Sequence, residues 1–324
     1  MLSPFAYVRA RSLDEATQQL GTEGARVSAG GTDLLGCLRD DVFECSKMVS
    51  ISGLDQLRGI TELRDGSVRI GALTRIAEVT GNSLIAGRYQ ALSQAASDVA
   101  SPQLRNQGTI GGNICQRPRC WYFRGEFHCL RKGGNTCYAI AGESQYHAIL
   151  GGDRCYIVHP SDTAPALLAL GATVTIARQG DTRTVPIAEF FVQPATNVTK
   201  ENILEPGEIV TDIVLPRPAD GLRSSYRKVR ARGSWDFALA GVALALRFQG
   251  DRVRDGRIVL SGAAPIPWRS TGAEEVVAGQ AMTPASAARA ARAAMSGAQP
   301  LMKNGYKIPL FKGLIEEELL AIGA

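Results

Sequence analysis

The sequence reads Ser28-Ala-Gly-Gly-Thr-Asp-Leu-Leu35 near its start and Gly108-Thr-Ile-Gly-Gly-Asn113 further along. Each stretch follows a predicted strand and sets a small hydroxyl or amide residue beside paired glycines. Because glycine has no side chain, backbone N–H groups in such a loop can approach a diphosphate closely. Neither loop matches GxGxxG followed by an acidic residue about twenty positions later, so a Rossmann dinucleotide site is not predicted. Taken singly, each loop is also compatible with an ordinary glycine turn.

The composition predicts a folded chain with a sizeable core. Its 324 residues are 45% hydrophobic and 21% charged, which excludes a disordered protein. The length is about twice that of a usual single domain, so two domains are expected. A net charge of +5 is too small to indicate nucleic-acid binding. No run of about eighteen apolar residues occurs, so no membrane span is expected. The N-terminus lacks the pattern of an export signal, which favours the cytoplasm.

The periodicity of apolar residues predicts an α+β protein. Strands are predicted at 5–8, 48–51, 68–70, 174–177, 183–185, 209–215, 225–229 and 257–260, and helices at 34–38, 89–99, 162–170, 285–294 and 307–320. The apolar run 237–246 fits either a strand or a buried helix. The stretch Pro216-Arg-Pro-Ala-Asp-Gly221 is typical of a linker and places a domain boundary near residue 220.

Five of the seven cysteines fall in one segment, residues 115–155. This segment follows neither strand nor helix periodicity, and so long a loop is unusual in a compact domain unless something organises it. An odd number of cysteines without an export signal argues against a disulfide framework. Several thiolates on one loop favour a metal or a cluster, although the spacing fits neither common zinc pairs nor ferredoxins. Free structural thiols are the alternative.

No acid/base or nucleophilic centre is recognisable. The three histidines, His128, His147 and His159, are candidates for ligation or proton transfer. The sequence contains no HExxH, no P-loop, no paired-carboxylate motif and no Ser/His/Asp grouping. This pattern favours electron transfer or binding over bond-making chemistry, and no catalytic residue is predicted on this chain.

Taken with three further motifs, the glycine loops resemble the FAD-binding medium subunit of the xanthine oxidase (molybdenum hydroxylase) family. These motifs are His159-Pro-Ser-Asp162, Leu204-Glu-Pro-Gly-Glu-Ile-Val210 and Tyr226-Arg-Lys228. The resemblance covers most of the chain in order. It implies an α+β, two-lobed FAD-binding domain of the vanillyl-alcohol-oxidase-like (PCMH) type over residues 1–220, with lobes at about 1–55 and 56–220. A smaller C-terminal α+β domain would follow over 221–324.

The resemblance also implies an FAD site between the lobes. The residues that would bind the cofactor are Arg26, Val27, Ser28, Ala29, Gly30, Gly31, Thr32, Asp33, Leu34, Thr109, Gly111, Gly112, Asn113, Ser161, Asp162, Ile209, Val210 and Lys228. The two loops would surround the diphosphate, and Ser161 with Asp162 would contact the ribityl or diphosphate region. Ile209 and Val210 would pack near the adenine, and Lys228 would approach the flavin.

The cysteine-rich segment, about residues 114–156, is an insertion relative to most members of the family. It resembles two subfamilies with an additional [4Fe–4S] cluster, the periplasmic aldehyde oxidoreductase type and the 4-hydroxybenzoyl-CoA reductase type. The order of motifs implies that Cys120, Cys129, Cys137 and Cys155 are the ligands, with Cys115 beside the flavin. Five basic residues would offset the charge of the thiolates: Arg117, Arg119, Arg124, Arg131 and Lys132. The stretch 146–151 resembles the aldehyde oxidoreductase type more.

The activity that the resemblance implies is electron transfer within a heterotrimer, single or doubled. A large molybdopterin-binding subunit would oxidise an aldehyde or an N-heteroaromatic compound. A small subunit with two [2Fe–2S] clusters would pass the electrons to FAD on this chain, which would deliver them to an external acceptor. One alternative is the reductase type, in which electrons flow inward; another is a cluster-organised binding module without redox turnover. The cytoplasm is the expected location, with export on a partner's twin-arginine signal as the alternative.

Overall fold

The computed structural model describes residues 2–324; residue 1, where the predicted FAD-binding domain begins, lies outside them. A small parallel sheet opens the chain. Its strands and helices are β1 Ala6–Arg9, α1 Leu13–Leu20, β2 Ala25–Ser28, α2 Leu34–Arg39 and β3 Lys47–Ser50, with strand order β1-β3-β2. Ser12 caps α1 by accepting a hydrogen bond from the Glu15 N–H. Since β2 ends at Ser28 and α2 begins at Leu34, the first glycine loop connects the two. It lies at the carboxyl end of a strand of a parallel sheet, where ligands commonly bind.

A second, antiparallel sheet has five strands in the order β4-β5-β8-β6-β7. The strands are β4 Ile60–Glu62, β5 Val68–Gly71, β6 Thr173–Arg178, β7 Asp181–Pro186 and β8 Ile209–Leu215. The accompanying helices are α3 Ile76–Gly81, α4 Ser83–Arg88, α5 Gln90–Ser97, α6 Pro102–Arg105, α7 Ile110–Ile114, α8 Trp121–Arg124 and α9 Thr163–Leu170. All eight residues of α9 are buried. Its apolar composition on every side fits a helix enclosed in the core.

The cysteine-rich insertion lies between α7 and α9 and joins none of the three sheets. Its regular structure consists of α8 and one short 3₁₀ turn, Leu130–Lys132. The structure therefore agrees with the loop predicted for residues 115–155.

The C-terminal part is a four-stranded antiparallel sheet with three helices on one face. The strands, in the order β12-β11-β10-β9, are β9 Leu222–Val229, β10 Ala240–Gln249, β11 Arg252–Ser261 and β12 Trp268–Arg269, and the helices are α10 Thr271–Val277, α11 Pro284–Ala294 and α12 Lys307–Gly323. Val242 and Leu244 of β10 pack with these helices, whereas Ala243 and Ala245 pack with α9. The run left open between strand and helix is thus a strand buried on both faces. No helix within residues 2–324 is long and apolar enough to cross a membrane.

Candidate functional site

A cavity of about 1270 Å³ lies where the small parallel sheet meets the second glycine loop and the C-terminal part. Fifteen residues of the predicted FAD set line it: Arg26, Val27, Ala29, Gly30, Gly31, Thr32, Asp33, Leu34, Thr109, Gly111, Gly112, Asn113, Asp162, Ile209 and Val210. Ser28, Ser161 and Lys228 do not line it. The volume exceeds that of a usual drug-sized pocket, so the cavity has room for a dinucleotide-sized ligand.

Two glycines make the cavity possible. A Cβ atom on Gly30 would overlap the backbone oxygen of Gln107, which directly precedes the second glycine loop, and one on Gly111 would lie 2.8 Å from the Ala72 Cβ. The two loops are therefore in backbone contact. Gly31 has φ +72°, the left-handed region that glycine adopts without strain. These close approaches let the two loops pack closely together beside the cavity.

The second loop is held from behind by hydroxyl groups. The Thr109 Oγ1 accepts a hydrogen bond from the Gly112 N–H at 3.2 Å. The Asn113 Oδ1 accepts from the Ser161 Oγ at 2.6 Å and from the Thr163 Oγ1 at 2.7 Å. Ser161 thus fixes the orientation of Asn113 rather than facing the cavity itself.

Arginines of the insertion contact the first glycine loop. The Asp33 carboxylate lies 2.6 Å from Arg119 and 2.7 Å from Arg124, and it accepts a hydrogen bond from the Arg117 N–H at 2.7 Å. Arg119 and Arg124 were predicted to surround the thiolates; they contact Asp33 instead. The Arg117 side chain pairs with Glu201 at 2.9 Å.

The wall that these residues form carries an excess of positive charge. Three guanidinium groups that line the cavity (Arg117, Arg119 and Arg124) face two carboxylates, Asp33 and Glu201, which leaves a surplus of one charge. Burial lowers the pKa of Arg117 and Arg119, since the charged form loses hydration. An anion such as a diphosphate would compensate this charge.

A buried ion pair lies behind the cavity and joins it to the C-terminal sheet. The Lys228 Nζ is 2.8 Å from the Asp162 Oδ2, and the Tyr226 hydroxyl donates to the Asp162 Oδ1 at 2.8 Å. Burial raises the pKa of Asp162, while Lys228 and Tyr226 act in the opposite direction. Both partners project from β9, so that strand fixes the position of Asp162 at the cavity edge.

Replacing Lys228 with Met is expected to destabilise the chain by about 3–5 kcal/mol, because it leaves the Asp162 charge buried without a cation. Arg227→Met is the matched control: Arg227 is the neighbour of Lys228 on β9, and it pairs with Glu317 at an exposed site, where a loss of at most about 1 kcal/mol is expected. Denaturant unfolding of the two variants measures the difference. Equal losses would show that the buried pair contributes no more than the exposed one.

Aromatic residues of the loop between β9 and β10 also line the cavity, although no motif in the sequence predicted this. Trp235 has φ +53°, and its backbone N–H donates to the backbone oxygen of Ala100 at 3.1 Å. The Arg119 guanidinium lies over the Phe237 ring, 5.3 Å from its centroid, in a cation–π contact. The loop places exposed aromatic surface at the cavity mouth, where it can cover a planar ligand.

A second, small cavity is lined by the four predicted ligands, Cys120, Cys129, Cys137 and Cys155, together with His147. Cys115 lines the large cavity instead, and its burial raises the pKa of its thiol to about 12. Within residues 2–324, no three histidine, cysteine or acidic side chains converge as the ligands of a single metal ion would. His128 and His159 line neither cavity.

The thiols around the small cavity are close enough for the charge of one to raise the pKa of another. Burial raises the pKa of Cys120 to about 12, and charges on Cys155 and Cys129 act in the same direction. Burial also raises the pKa of Cys137, with the same two neighbours contributing. Backbone N–H groups oppose these shifts by hydrogen bonding to the sulfurs, from Tyr122 and Phe123 at Cys120 and from Ala139 and Tyr156 at Cys137. Such N–H···S bonds stabilise a thiolate.

Two buried basic side chains complete this second site. Arg131 pairs with Glu201 at 2.5 Å and lines the same cavity as Cys155, whose negative charge helps to raise the pKa of Arg131. The His147 Nε2 lies 3.2 Å from the Cys120 Sγ. Burial, assisted by the positive charge of Lys307, lowers the pKa of His147 to about 4, so its ring is neutral near pH 7.

Comparison with known proteins gives two family matches that cover most of the chain. Residues 3–218 match the family described as FAD binding domain in molybdopterin dehydrogenase, and residues 224–320 match the CO dehydrogenase flavoprotein C-terminal domain.

Individual proteins are similar over nearly the full length. The aldehyde oxidoreductase FAD-binding subunit PaoB of Escherichia coli (strain K12) is 35% identical over 316 residues, 96% of each chain. The glyceraldehyde dehydrogenase medium chain of Sulfolobus acidocaldarius is 30% identical over 85% of this chain and 82% of that protein. Among solved structures, carbon monoxide dehydrogenase from Hydrogenophaga pseudoflava superposes with a TM-score of 0.78 at 27% identity, covering 99% of this chain and 98% of that one.

These matches confirm the predicted family and the predicted α+β fold with an FAD-binding domain followed by a smaller C-terminal domain. They agree with the cavity, whose two glycine loops lie within the FAD-binding match. The chain belongs to the xanthine oxidase family as an FAD-binding medium subunit of a molybdenum hydroxylase-type dehydrogenase.

Proposed function

We propose that this chain is the FAD- and [4Fe–4S]-containing electron-transfer subunit of a heteromeric molybdenum hydroxylase that oxidises an aldehyde or an N-heteroaromatic compound. The observation that carries the proposal is the pair of cavities, one lined by two glycine loops and the other by four cysteines. Similarity to an aldehyde oxidoreductase subunit over 96% of both chains favours an aldehyde as the substrate of the whole complex.

The large cavity fits FAD in shape and charge. Gly30 and Gly111 allow close packing of the loops that line the cavity, where a Cβ atom would clash with Gln107 or Ala72, and the arginine-rich wall suits a diphosphate. Asn113 is oriented by the Ser161 hydroxyl and can donate its amide N–H groups into the cavity. Bound FAD would supply one- and two-electron chemistry, while these residues bind it, orient it and exclude water from its diphosphate.

The small cavity fits a [4Fe–4S] cluster better than a single metal ion. A single zinc ion draws its ligand atoms to within about 2.3 Å of one centre, and no such convergence occurs within residues 2–324. A [4Fe–4S] cluster takes four cysteine thiolates at the corners of a larger unit, which matches four thiols spread around one cavity. The N–H donors to Cys120 and Cys137 and the guanidinium of Arg131 beside Cys155 would stabilise thiolates there.

The partners and the direction of electron flow are proposed from the family. A large molybdopterin-binding subunit would carry out the oxidation, and a small subunit with two [2Fe–2S] clusters would deliver the electrons to this chain, in a single or doubled heterotrimer. The flavin site would pass them to an external acceptor. Inward flow, as in a 4-hydroxybenzoyl-CoA reductase-type enzyme, is the second candidate, because the cysteine-rich insertion also resembles that subfamily.

The isolated chain is expected to bind FAD and iron yet to show little turnover with aldehydes, because substrate chemistry would lie on the molybdopterin-binding partner. The measurement compares the chain alone with the complex expressed from its neighbouring genes, using the flavin spectrum, iron analysis and reduction of an artificial acceptor by an aldehyde. Robust aldehyde oxidation by the chain alone would contradict the assignment. A chain with iron but without flavin would support the binding module instead.

The direction of flow is tested with the same complex. An oxidising enzyme is expected to reduce a dye acceptor with an aldehyde and to leave an aromatic CoA thioester unchanged when a low-potential reductant is supplied. Reductive dehydroxylation of the thioester would favour the second candidate.

The cytoplasm is the proposed location, with export of the folded complex on a partner's twin-arginine signal as the alternative. None of the seven cysteines forms a disulfide, which suits a reducing compartment. Fractionation of cells that express all the subunits distinguishes the two.

A further inference from the structure

Residues 144–150 of the insertion, here called the docked segment, are fastened to the C-terminal domain. Ile149 and Leu150 belong to the core that the C-terminal sheet forms with its helices. Five of the hydrogen bonds that join the segment to this domain are Lys303 N–H to Ser144 Oγ, Tyr306 O–H to Gln145 O, Gln299 N–H to Ile149 O, and both Ile149 N–H and Leu150 N–H to Ala263 O. This docking constrains the insertion from the side of the C-terminal domain, as the pairs of Arg119 and Arg124 with Asp33 constrain it from the side of the first glycine loop.

Lys307 is the most unusual residue of this interface. Its side chain is fully buried, and its Nζ donates to the backbone oxygens of Tyr146, His147 and Gly262 at 3.3, 3.1 and 2.8 Å. Within residues 2–324 no acidic side chain pairs with it. Burial lowers the pKa of Lys307 to about 7, while three carbonyl oxygens match the three donors of an ammonium group. A buried lysine whose donors all bind backbone oxygens fixes the position of that backbone, here residues 146 and 147 against Gly262.

The residue held in this way is His147. Its carbonyl oxygen accepts from Lys307 and from the Asn304 Nδ2, the latter at 3.0 Å, and Asn304 also donates to the Ala148 oxygen at 3.2 Å. Its ring then reaches the Cys120 Sγ. The Nδ1 atom is buried and has no hydrogen-bond partner, which leaves Nε2 as the ring atom engaged by the protein.

We propose that His147 is a positioning residue of the iron–sulfur site, donating its Nε2–H to the Cys120 thiolate, and that Lys307 and Asn304 of the C-terminal domain hold it there. The inference rests on the proposed cluster. An iron-bound thiolate carries no proton, so it can only accept, and the proton of the contact must come from the imidazole. Hydrogen bonds to cluster sulfurs help to set the reduction potential. A donor stabilises the more negative reduced form and therefore raises the potential.

The experiment uses the whole complex with His147→Phe, which removes the donor, and His147→Gln, which retains an N–H donor. The Phe variant is expected to keep FAD and about four irons per chain. Its equilibrium between reduced and oxidised cluster should shift about tenfold towards the oxidised form, equivalent to about 59 mV for a one-electron couple. The Gln variant should recover most of this shift. The readout is an EPR-monitored redox titration together with iron and flavin analysis.

The outcomes separate this inference from the proposed function. Absence of iron from the unmodified complex would refute the cluster and, with it, this role of His147. Full iron with an unchanged potential in the Phe variant would refute the role of His147 alone. Iron lost in the Phe variant and restored in the Gln variant would support it, because only the donor distinguishes the two.

The contribution of the C-terminal domain is tested by Lys307→Met, with Lys303→Met as the matched control. Lys303 also contacts the insertion, through an exposed pair with Glu143. Lys307→Met is expected to lower the cluster potential in the same direction as His147→Phe, or to reduce iron content, while FAD stays bound; Lys303→Met should resemble the unmodified complex. Identical potential and iron content in Lys307→Met would overturn the proposed role of Lys307.

Discussion

Changing Cys137 to Ser is expected to remove the cluster iron, about four atoms per chain, whereas Cys115→Ser should leave the iron in place. Cys137 lines the small cavity with the three other predicted ligands, and Cys115 lines the large one. The hydroxyl of serine is a far poorer ligand for iron than a thiolate. Equivalent losses are expected for Cys120, Cys129 and Cys155. Iron analysis and the EPR spectrum of the reduced complex measure the effect.

The Cys115 variant is the control, because Cys115 stands at the start of the insertion, directly after α7, and lines the large cavity rather than the small one. A small change in the flavin spectrum is the most that is expected there. If Cys115→Ser lost the iron and Cys137→Ser kept it, the proposed ligand set would be wrong. FAD content should change little in the other variants, with Cys155 the most sensitive position, because it lies six residues before Ser161.

Local chemistry explains what could be predicted from the sequence. Either pair of glycines alone fits an ordinary turn, but the two loops together with the other motifs indicated one site, and both loops line one cavity. The hairpin predicted from residues 174–177 and 183–185 forms with Val174 opposite Val185, since alternation and a short polar turn specify register locally.

The apolar run 237–246 shows where local pattern is insufficient. Strand β10 is buried on both faces because α9 covers one and the C-terminal helices cover the other. A strand with two buried faces loses the alternation that marks a strand. Only the arrangement of the other elements distinguishes it from a buried helix.

Contacts between residues far apart in the sequence could not be predicted either, because they depend on the arrangement of whole elements and not on local pattern. The basic residues near the cysteines were assigned to the thiolates from proximity in sequence, yet Arg119 and Arg124 contact Asp33, far earlier in the chain. Lys307 and Asn304 act on His147 from about 160 positions away. Neither residue belongs to a motif, and a lone lysine on an amphipathic helix predicts only an exposed charge.

Gly30→Ala is expected to lower FAD occupancy by at least about tenfold. The added Cβ would overlap the Gln107 backbone oxygen, and backbone cannot move aside as cheaply as a flexible side chain. Overpacking of this kind costs about 1–3 kcal/mol, and about 1.4 kcal/mol of lost binding is a tenfold weaker Kd. The strain comes from this contact alone, because Gly30 is not among the glycines with positive φ.

Gly87→Ala is the control for the loss of a glycine as such. Gly87 lies on α4, Ser83–Arg88, where a Cβ would meet no atom within 4 Å; alanine there should stabilise the helix by up to about 1 kcal/mol. Titration of FAD into each apo variant gives the Kd, and thermal unfolding of the apo proteins shows whether Gly30→Ala still folds. A folded Gly30→Ala protein with unchanged affinity would show that contact between the two loops is dispensable. A folded variant that has lost FAD but kept its iron would instead show that the two cavities bind their cofactors independently, since the overlap lies at the glycine loops while the cysteine ligands belong to a segment anchored on the C-terminal domain.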